Sequence, residues 1–219
     1  SEVYPTLLTG LTMTVKITIL SLIIALVIGI FVCLMNISSN IVLRGIAKFY
    51  IWLIRGTPML VQAFYFYFAL PQLIQAVTGS QFRITVFTAS LVTLALNAGA
   101  YISEIFRGSI ESVNKGQMEA GRSLGLNKFQ TMRYIIIPQA FKSILPPLGN
   151  EFIVLIKETS IVGYVGMSDL TRVANQMTSK LFDVFTPLLG IAFIYFVLTK
   201  VLSILLAKLE RRLRKSDNR

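Results

Sequence analysis

Apolar residues form long runs along the chain, separated by polar and basic segments. The first run, ITILSLIIALVIGIFVCLM (17–35), carries no charge and is long enough for a transmembrane helix, which needs about 20 residues. Comparable runs recur further along the chain. We therefore predict an all-α, polytopic membrane protein whose five transmembrane helices cover about 11–35, 57–74, 84–106, 145–166 and 186–207.

The fourth run is the weakest of the five, because it contains Glu151, Lys157 and Glu158. The basic residues support it nevertheless. They cluster in three segments, and Lys and Arg collect on the cytoplasmic side of a membrane. The segments are 44–55, 107–142 and 208–219. Neighbouring clusters must then be separated by an even number of crossings. This parity requires the fourth span, and it predicts that the N-terminus lies outside and the C-terminus in the cytoplasm.

The segment IVLRGIAKFYIWLI (41–54) precedes the second predicted span. We expect an interfacial helix here, broken or followed by a new helix start at RGTP, because Pro58 lacks an N–H group and suits a first helical turn. No internal repeat divides the chain. We predict one transmembrane domain over residues 1–219, with a cytoplasmic loop at about 112–140.

Composition agrees with a membrane protein. Of the 219 residues 54% are hydrophobic and only 14% are charged, whereas a soluble domain carries about 25% charged residues. The net charge of +11 fits basic cytoplasmic loops, and no nucleic-acid-binding motif accompanies it. The sequence has no histidine, which excludes His-based catalysis and His metal ligands, and its single cysteine, Cys33, cannot form an intrachain disulfide. We predict that the chain is not an enzyme and holds no metal.

One polar, glycine-punctuated segment, QMEAGRSLGLNKFQTMRYIIIPQA (117–140), interrupts this apolar chain. Good helix formers precede Gly125, which can end a helix in a left-handed turn. Asn127 can cap a second helix, with Gln130 completing a capping box. The predicted order is helix, glycine turn, helix. Pro138 is expected to close the stretch, and LPP (145–147) to open the next span.

The second of these helices is expected to be amphipathic, because Phe129, Met132 and Ile136 fall at i, i+3 and i+7. Two interpretations of the whole segment remain open on these grounds. A short exposed helix can fit a groove on another protein, and an amphipathic loop can also lie on the bilayer.

A partial phosphate-loop pattern occurs in the same segment, formed by Gly116, Gly121, Arg122 and Ser123. A phosphate loop needs a preceding β-strand and a lysine that reaches the phosphates. Here arginine holds the lysine position and no strand precedes it. We expect no ATP binding, and no other cofactor, in this chain.

The stretch EAGRSLG followed by YIIIP resembles the EAA loop of permease subunits in bacterial ATP-binding-cassette (ABC) importers. The family pattern is E-A-A, a glycine four residues after the third position, and then I-x-L-P. The matching residues are Glu119, Ala120, Gly125, Ile135 and Pro138. Gly121 replaces the third alanine and Ile137 replaces the leucine, and both changes are mild. The stretches RGTPMLVQ (55–62), AYISEIFRGSI (100–110) and GNEFIVLIKETS (149–160) resemble the polar amino acid branch of the family.

The resemblance implies a type I ABC importer permease fold in the bacterial inner membrane. It also implies a second permease copy or homologue that forms a dimer, two ATPase subunits that bind ATP and Mg, and an external solute-binding protein. In the family the EAA loop forms a coupling helix that fits a cleft on the ATPase. Carried over to this chain, the ATPase-coupling residues are Glu119, Ala120, Gly121, Arg122, Ser123 and Gly125. The implied function is ATP-driven import of polar amino acids by alternating access.

Polar residues inside spans indicate where a substrate would bind. In the third span Asn97, Tyr101 and Glu104 share one helical face, opposite a row of small residues suited to helix packing. In the fourth span Glu151 and Glu158 share a face. The small row is Ala95, Gly99 and Ser103. We predict a partly acidic substrate site formed by Glu151, Asn97, Glu158, Tyr101, Gln62 and Glu104. Two acids favour a basic amino acid such as arginine, lysine or histidine.

Each of these residues also has an alternative role. Glu104 can pair with Arg107 at i+3, Lys157 can neutralise Glu158, and Asn97 can join helices to each other. The stretch GNEF…KETS also suits relatives that carry neutral or acidic amino acids. The alternative function is a gradient-driven secondary transporter or channel for a small polar solute, which would not need the segment 117–140.

Overall fold

The computed structural model describes residues 3–217, and within them the side chains of residues 5–212. This part of the chain is 87% helical and contains no strand. The helices are α1 (Val3–Asn36), α2 (Ile41–Arg55), α3 (Met59–Phe64), α4 (Leu70–Thr78), α5 (Val86–Glu111), α6 (Lys115–Ser123), α7 (Lys128–Thr131), α8 (Ile137–Glu158), α9 (Leu170–Leu181) and α10 (Phe185–Asp217). One π-helix, Tyr65–Ala69, joins α3 to α4, and another, Met132–Ile136, joins α7 to α8. A 3-10 helix, Thr159–Val165, continues α8.

Four helical segments among the described residues are long and apolar enough to cross a membrane. They are Pro5–Asn36, Met59–Thr78, Val86–Glu111 and Phe185–Arg212. The fourth predicted span corresponds to α8, which is less hydropathic because it carries Lys142, Glu151, Lys157 and Glu158 as well as three prolines. The all-α architecture and the predicted helix order are confirmed. The exact limits of the spans stay a prediction, since the helices extend beyond the apolar runs.

Helices α1 and α5 form the tightest helix pair. Gly29 lies so close to α5 that an added Cβ would stand 2.6 Å from Ile102 Cγ2, and a Cβ at Gly99 would stand 2.7 Å from Ile28 Cγ2. The Lys16 ammonium lies 5.6 Å from the centre of the Phe87 ring near the start of α5. The two helices therefore run in the same direction. This is the arrangement expected when a single span, Met59–Thr78, crosses the membrane between them. Gly99, from the row of small residues predicted to suit helix packing, thus packs against α1.

Helix α2 differs from the interfacial helix expected at 41–54. Its N-terminus is capped by the Asn40 side chain, and Ala47 and Ile51 on one face are buried. The Tyr50 hydroxyl donates to the Leu96 carbonyl, 2.5 Å away and well inside α5. Helix α2 therefore packs along the middle of α5, and the expectation of a helix lying on the bilayer surface is wrong at that point.

The chain turns between α2 and α3 at Gly56 to Pro58. Pro58 is the N-cap residue of α3 with an extended backbone, as its position in RGTP predicts. Beyond α3 the backbone continues without a break through the π-helix into α4, where a proline occupies the first turn. The second predicted span is thus a helix with a π-segment at its centre.

The predicted stop at Pro138 is wrong. The π-helix Met132–Ile136 leads directly into α8, and Pro138 stands just after the π-turn, inside helical backbone to which it donates no N–H bond. Pro146 and Pro147 lie inside α8 instead of opening a span. Lys128 to Glu158 therefore forms one continuous helical run.

The π-turn also shifts which side chains face inward. The buried positions are Thr131, Ile136, Ala140 and Ile144, with a five-residue step at the start. Phe129, predicted on the apolar stripe, is 71% exposed. A regular α-helix was assumed for the stripe, and the wider turn breaks that register.

Candidate functional site

The segment predicted to dock on another protein has the expected helix–turn–helix form. Helix α6 is capped at its start by the Asn114 side chain, which accepts from the Gly116 N–H at 2.8 Å. It ends in a Schellman motif: the Leu126 N–H donates to the Gly121 carbonyl and the Gly125 N–H to the Arg122 carbonyl. Gly125 has φ +85°, the left-handed conformation that favours glycine.

Helix α7 begins with the predicted capping box. Asn127 Oδ1 accepts from the Gln130 N–H at 2.8 Å, and Gln130 Oε1 accepts from the Asn127 N–H at 2.9 Å. These two bonds satisfy donors that the start of a helix would otherwise leave unpaired. The turn between α6 and α7 is thus fixed from both sides.

One side of α6 is seated on the helical run behind it. A Cβ on Gly121 would lie 2.5 Å from Thr131 Cγ2 and 3.0 Å from Ile135 Cδ1. Gly121 is buried, whereas the other predicted coupling residues are exposed. These are Glu119, Ala120, Arg122, Ser123 and Gly125. Leu124, at the end of the helix, is 80% exposed. The surface of α6 thus presents polar side chains and an unpacked leucine.

Two of the predicted substrate residues hydrogen-bond to each other. The Asn97 side-chain amide donates to Gln62 Oε1 at 3.1 Å. The Gln62 amide in turn donates to the Ile54 carbonyl at 2.7 Å and to Thr57 Oγ1 at 2.8 Å. Both amide side chains are buried. They connect the middle of α5 to the break between α2 and α3.

Glu104 lies in a cluster of charges at the end of α5. Arg107 donates to both Glu104 oxygens, from Nε at 2.9 Å and from Nη2 at 2.8 Å, as the i+3 spacing predicted. Arg107 Nη1 also donates to Glu111 Oε2 at 2.6 Å. Asn36 donates to Glu104 Oε1 at 3.3 Å, and Arg55 Nη1 lies 3.9 Å from Glu104 Oε2.

Tyr101 meets α2 beside this cluster. The Arg55 guanidinium carbon lies 4.9 Å from the centre of the Tyr101 ring. The sequence did not assign a role to Arg55 or Asn36. The available signal was the position of Arg55 as the first residue of RGTP, at the end of an apolar helix.

Glu151 is the exceptional carboxylate. Its residue surface is only 8% exposed, and among the described residues it makes no hydrogen bond or ion pair. Glu158, two turns further along the same face of α8, is half-buried. No hydrogen bond joins Glu151 to Asn97 or Gln62 within the part of the chain that the structure describes. The predicted residues thus form a pair of amides, a charge cluster and a carboxylate pair.

A sequence profile of the family described as "binding-protein-dependent transport system inner membrane component" matches residues 21–215. The chain belongs to this family. It is the membrane component of an ABC importer, in which a partner subunit hydrolyses ATP. The predicted family is therefore confirmed. The family makes it a multi-pass protein of the inner membrane, as predicted. Its relatives among known proteins identify it as an amino acid permease of the ABC class.

Curated relatives of this permease cover nearly its full length. It is 40% identical over 210 residues to the glutamine transport system permease protein GlnP of Escherichia coli K12, which covers 96% of this chain and 94% of that protein. It is also 40% identical over 213 residues to the arginine transport system permease protein ArtQ of Bacillus subtilis 168, with 97% and 94% coverage.

A solved structure of an amino acid ABC transporter with histidines superposes with a TM-score of 0.89 at 46% identity, covering 95% of this chain and 94% of that one. A methionine ABC transporter in an inward-facing conformation shares the fold, with a TM-score of 0.77 at 19% identity and coverage of 95% and 96%.

Proposed function

We propose that this permease imports polar amino acids, with basic ones (arginine, lysine and histidine) as its substrates. The observation that carries the proposal is the carboxylate of Glu151 inside a membrane helix, in a residue only 8% exposed and without a hydrogen bond or ion pair among the described residues. A buried carboxylate without a partner is costly, and a cationic substrate group would supply the missing partner. One relative named as an arginine permease and a related structure with histidines support basic substrates, while an equally similar relative is named as a glutamine permease.

The proposed substrate site centres on Glu151, with Glu158 as the second acid for a cationic side chain. Asn97, Gln62 and Tyr101 lie on the elements around the α2–α3 break, where backbone groups can receive the substrate carboxylate. Asn97 and Gln62 would take part by exchanging their mutual hydrogen bond for bonds to the substrate. Glu104 is already paired with Arg107, so its proposed role is to hold the end of α5 beside Tyr101 and Arg55 at the border of the site.

Import would be driven through α6. In this proposal α6 and its turn lie in the cytoplasm and dock in a cleft of the ATPase, with Glu119, Ala120, Arg122 and Ser123 at the contact and with Gly121 and Gly125 shaping the turn. The N-terminus lies outside and the C-terminus inside. ATP and Mg bind to the ATPase subunits. Their closure moves two docked permeases between inward- and outward-open states, and an external solute-binding protein delivers the substrate. A ligand shifts such a balance only by its differential affinity for the two states.

The alternative of a gradient-driven transporter receives no support from the family, whose transport systems depend on a binding protein. The exposed surface of α6 also favours a separate ATPase that drives transport from outside the membrane. Uphill uptake by the purified permease alone, in sealed liposomes, would contradict this conclusion.

The substrate site can be tested in proteoliposomes that contain the permease, its ATPase and its binding protein. We expect Glu151→Gln to weaken arginine uptake about 30-fold or more, because removing one partner of a buried charge pair costs about 2–5 kcal/mol. Glu111→Gln is the matched control, since the Glu111 side chain is 59% exposed and, among the described residues, forms an ion pair with Arg107 alone. Normal arginine uptake by Glu151→Gln would remove Glu151 from the site. Loss of arginine uptake with normal glutamine uptake would confirm that Glu151 selects a cation.

A further inference from the structure

Two adjoining cavities lie at the end of the bundle that carries α6 and α7. The first is a groove of about 840 Å³ between the C-terminal ends of α1 and α5, the first half of α2, and α7. The spans Pro5–Asn36 and Val86–Glu111 both end here, so the groove lies at the level where the lipid headgroups begin.

This groove is basic. Four cationic side chains line it, Arg44, Lys48, Arg107 and Lys128, against one carboxylate, that of Glu111. Arg107 is paired with Glu104 and Glu111. Arg44, Lys48 and Lys128 have no carboxylate within ion-pair distance among the described residues. Arg44 and Lys48 stand four residues apart on α2, a spacing at which like charges repel each other. An anion in the groove would relieve that repulsion.

The second cavity, of about 390 Å³, is lined by apolar side chains and Cys33 and lies between α1, α5 and α8. It shares Leu34, Ile110 and Ile137 with the basic groove, so the two cavities adjoin along these three side chains. Along α1 it extends from Leu34 back to Leu26, a distance of about 12 Å at 1.5 Å per residue. It therefore leads from the headgroup level into the hydrocarbon core.

We infer that the two cavities together bind one anionic phospholipid, with the headgroup in the basic groove and an acyl chain in the apolar one. Basic pockets between transmembrane helices are suited to acidic lipid headgroups. A free phosphate would match the cations but would leave the apolar cavity empty. A zwitterionic lipid would fill the apolar cavity but would not neutralise three unpaired cations. The inference does not depend on the substrate or on ATPase docking.

Native mass spectrometry of the purified full chain in mild detergent tests this site. Phosphatidylglycerol is titrated against phosphatidylcholine of the same chain length, and inorganic phosphate is added in a separate series. We expect one phosphatidylglycerol to bind in preference to phosphatidylcholine and to resist phosphate. The double variant Arg44→Gln/Lys48→Gln should bind it about 25-fold more weakly, at about fivefold for each cation removed near the membrane surface.

Two further variants separate the site from general electrostatics. Arg211→Gln/Arg212→Gln removes the same charge from the exposed end of α10 and should leave the bound lipid in place. Leu34→Trp fills the junction of the two cavities without changing any charge and should also expel the lipid. Thermal unfolding confirms that each variant is folded.

Equal binding of the two lipids, or equal losses in the α2 and α10 double variants, would overturn the inference. So would competition by inorganic phosphate alone. Crosslinking can also reveal a dimer. If a dimer covers Arg44 and Lys48 while no lipid is bound, the groove is instead a contact surface for a second copy of the chain.

Discussion

The Asn97 side-chain amide donates to Gln62 Oε1 across 3.1 Å, between residues 35 positions apart in the chain. This bond joins the middle of α5 to α3, directly after the break at Pro58. Because the Gln62 amide also bonds to Ile54 and Thr57 before the break, one side chain connects three elements. The amide pair therefore fixes how α2 and α3 meet at the break and how both are held against α5.

The amide pair should be energetically coupled. We expect Asn97→Leu to lower the free energy of unfolding by about 1 kcal/mol, because Gln62 Oε1 loses its donor in a buried position. Gln62→Leu should cost more, since it removes the bonds to Ile54 and Thr57 as well. A double-mutant cycle, measured by unfolding of the purified chain in detergent, should give a coupling energy of about 0.6–1.7 kcal/mol.

Ser90→Ala is the matched control for this cycle. Ser90 is fully buried in α5, and its hydroxyl has no hydrogen-bond partner among the described residues. Its removal should be neutral or slightly stabilising. Additive effects of the Asn97 and Gln62 variants would show that the hydrogen bond does not hold the break.

The contact between Gly121 and Thr131 predicts a compensating pair of substitutions. Gly121→Ala should push α6 away from the helical run, because the new Cβ would stand 2.5 Å from Thr131 Cγ2, and overpacking of this kind costs about 1–3 kcal/mol. Adding Thr131→Ala should make room for the new Cβ and let α6 pack against the helical run again. Hydrogen–deuterium exchange of the α6 amides measures the effect, with faster exchange in the single variant than in the double variant.

Gly108→Ala is the control, because a Cβ at Gly108 meets no atom within 4 Å. It should stabilise α5 by about 0.5–1 kcal/mol through helix propensity. Equal exchange in Gly121→Ala and the original chain would contradict the close contact. The family pattern E-A-A has alanine where this chain has Gly121. The structure explains the glycine, because Thr131 leaves no room for a Cβ at this position.

Much of the fold could be predicted because apolar runs and caps are local properties. The helix order, the Gly125 turn and the Asn127 capping box follow from residues close together in the sequence. The position of α2 against the middle of α5 could not be predicted in this way. An amphipathic helix with basic residues shows the same sequence pattern whether it lies on the bilayer surface or packs against another helix, as α2 does through Tyr50. The helix through Pro138 was missed because a π-turn changes the hydrogen-bond step without changing the composition.

The site was predictable to a similar extent. The pair Glu104–Arg107 follows from its i+3 spacing, whereas the bond between Gln62 and Asn97 depends on how α3 is placed after the break. That Glu151 makes no hydrogen bond to this amide pair was not predictable either, since spacing along one helix carries no information on the neighbouring helix.

The two carboxylates in the charge cluster at the end of α5, Glu104 and Glu111, should contribute unequally to the free energy of unfolding. Glu104 receives two hydrogen bonds from Arg107 and one from Asn36 of α1, so we expect Glu104→Gln to cost about 1.5–3 kcal/mol of unfolding free energy. Glu111→Gln should cost less than about 1 kcal/mol, because exposed ion pairs are weak. Both are measured by unfolding in detergent at neutral pH. Equal costs would mean that the contact with α1 does not contribute.

Asp169 and Asp183 should affect the pH dependence of the unfolding free energy in opposite directions. Asp169 is fully buried at the start of α9, where its carboxylate accepts from the Arg172 and Thr171 N–H groups, and burial raises its pKa in spite of these bonds. Hydrogen bonds from the Thr186 side chain and backbone lower the pKa of the exposed Asp183 before α10. Both residues lie in the segment between α8 and α10.

The signs follow from proton linkage. Above the ordinary carboxyl pKa, about pH 4, the folded chain still holds the Asp169 proton that the unfolded chain has released, so stability falls as pH rises through this window. Asp169→Asn and Asp169→Ala should both abolish this loss, and Asp169→Ala should be less stable than Asp169→Asn by about 1 kcal/mol at every pH through loss of the cap. Asp183→Asn should instead remove a contribution that is present above pH 4 and lost as pH falls. Unfolding free energies measured between pH 4 and 7 in detergent test both signs, and parallel curves for Asp169→Asn and the original chain would show that Asp169 does not hold its proton in the folded state.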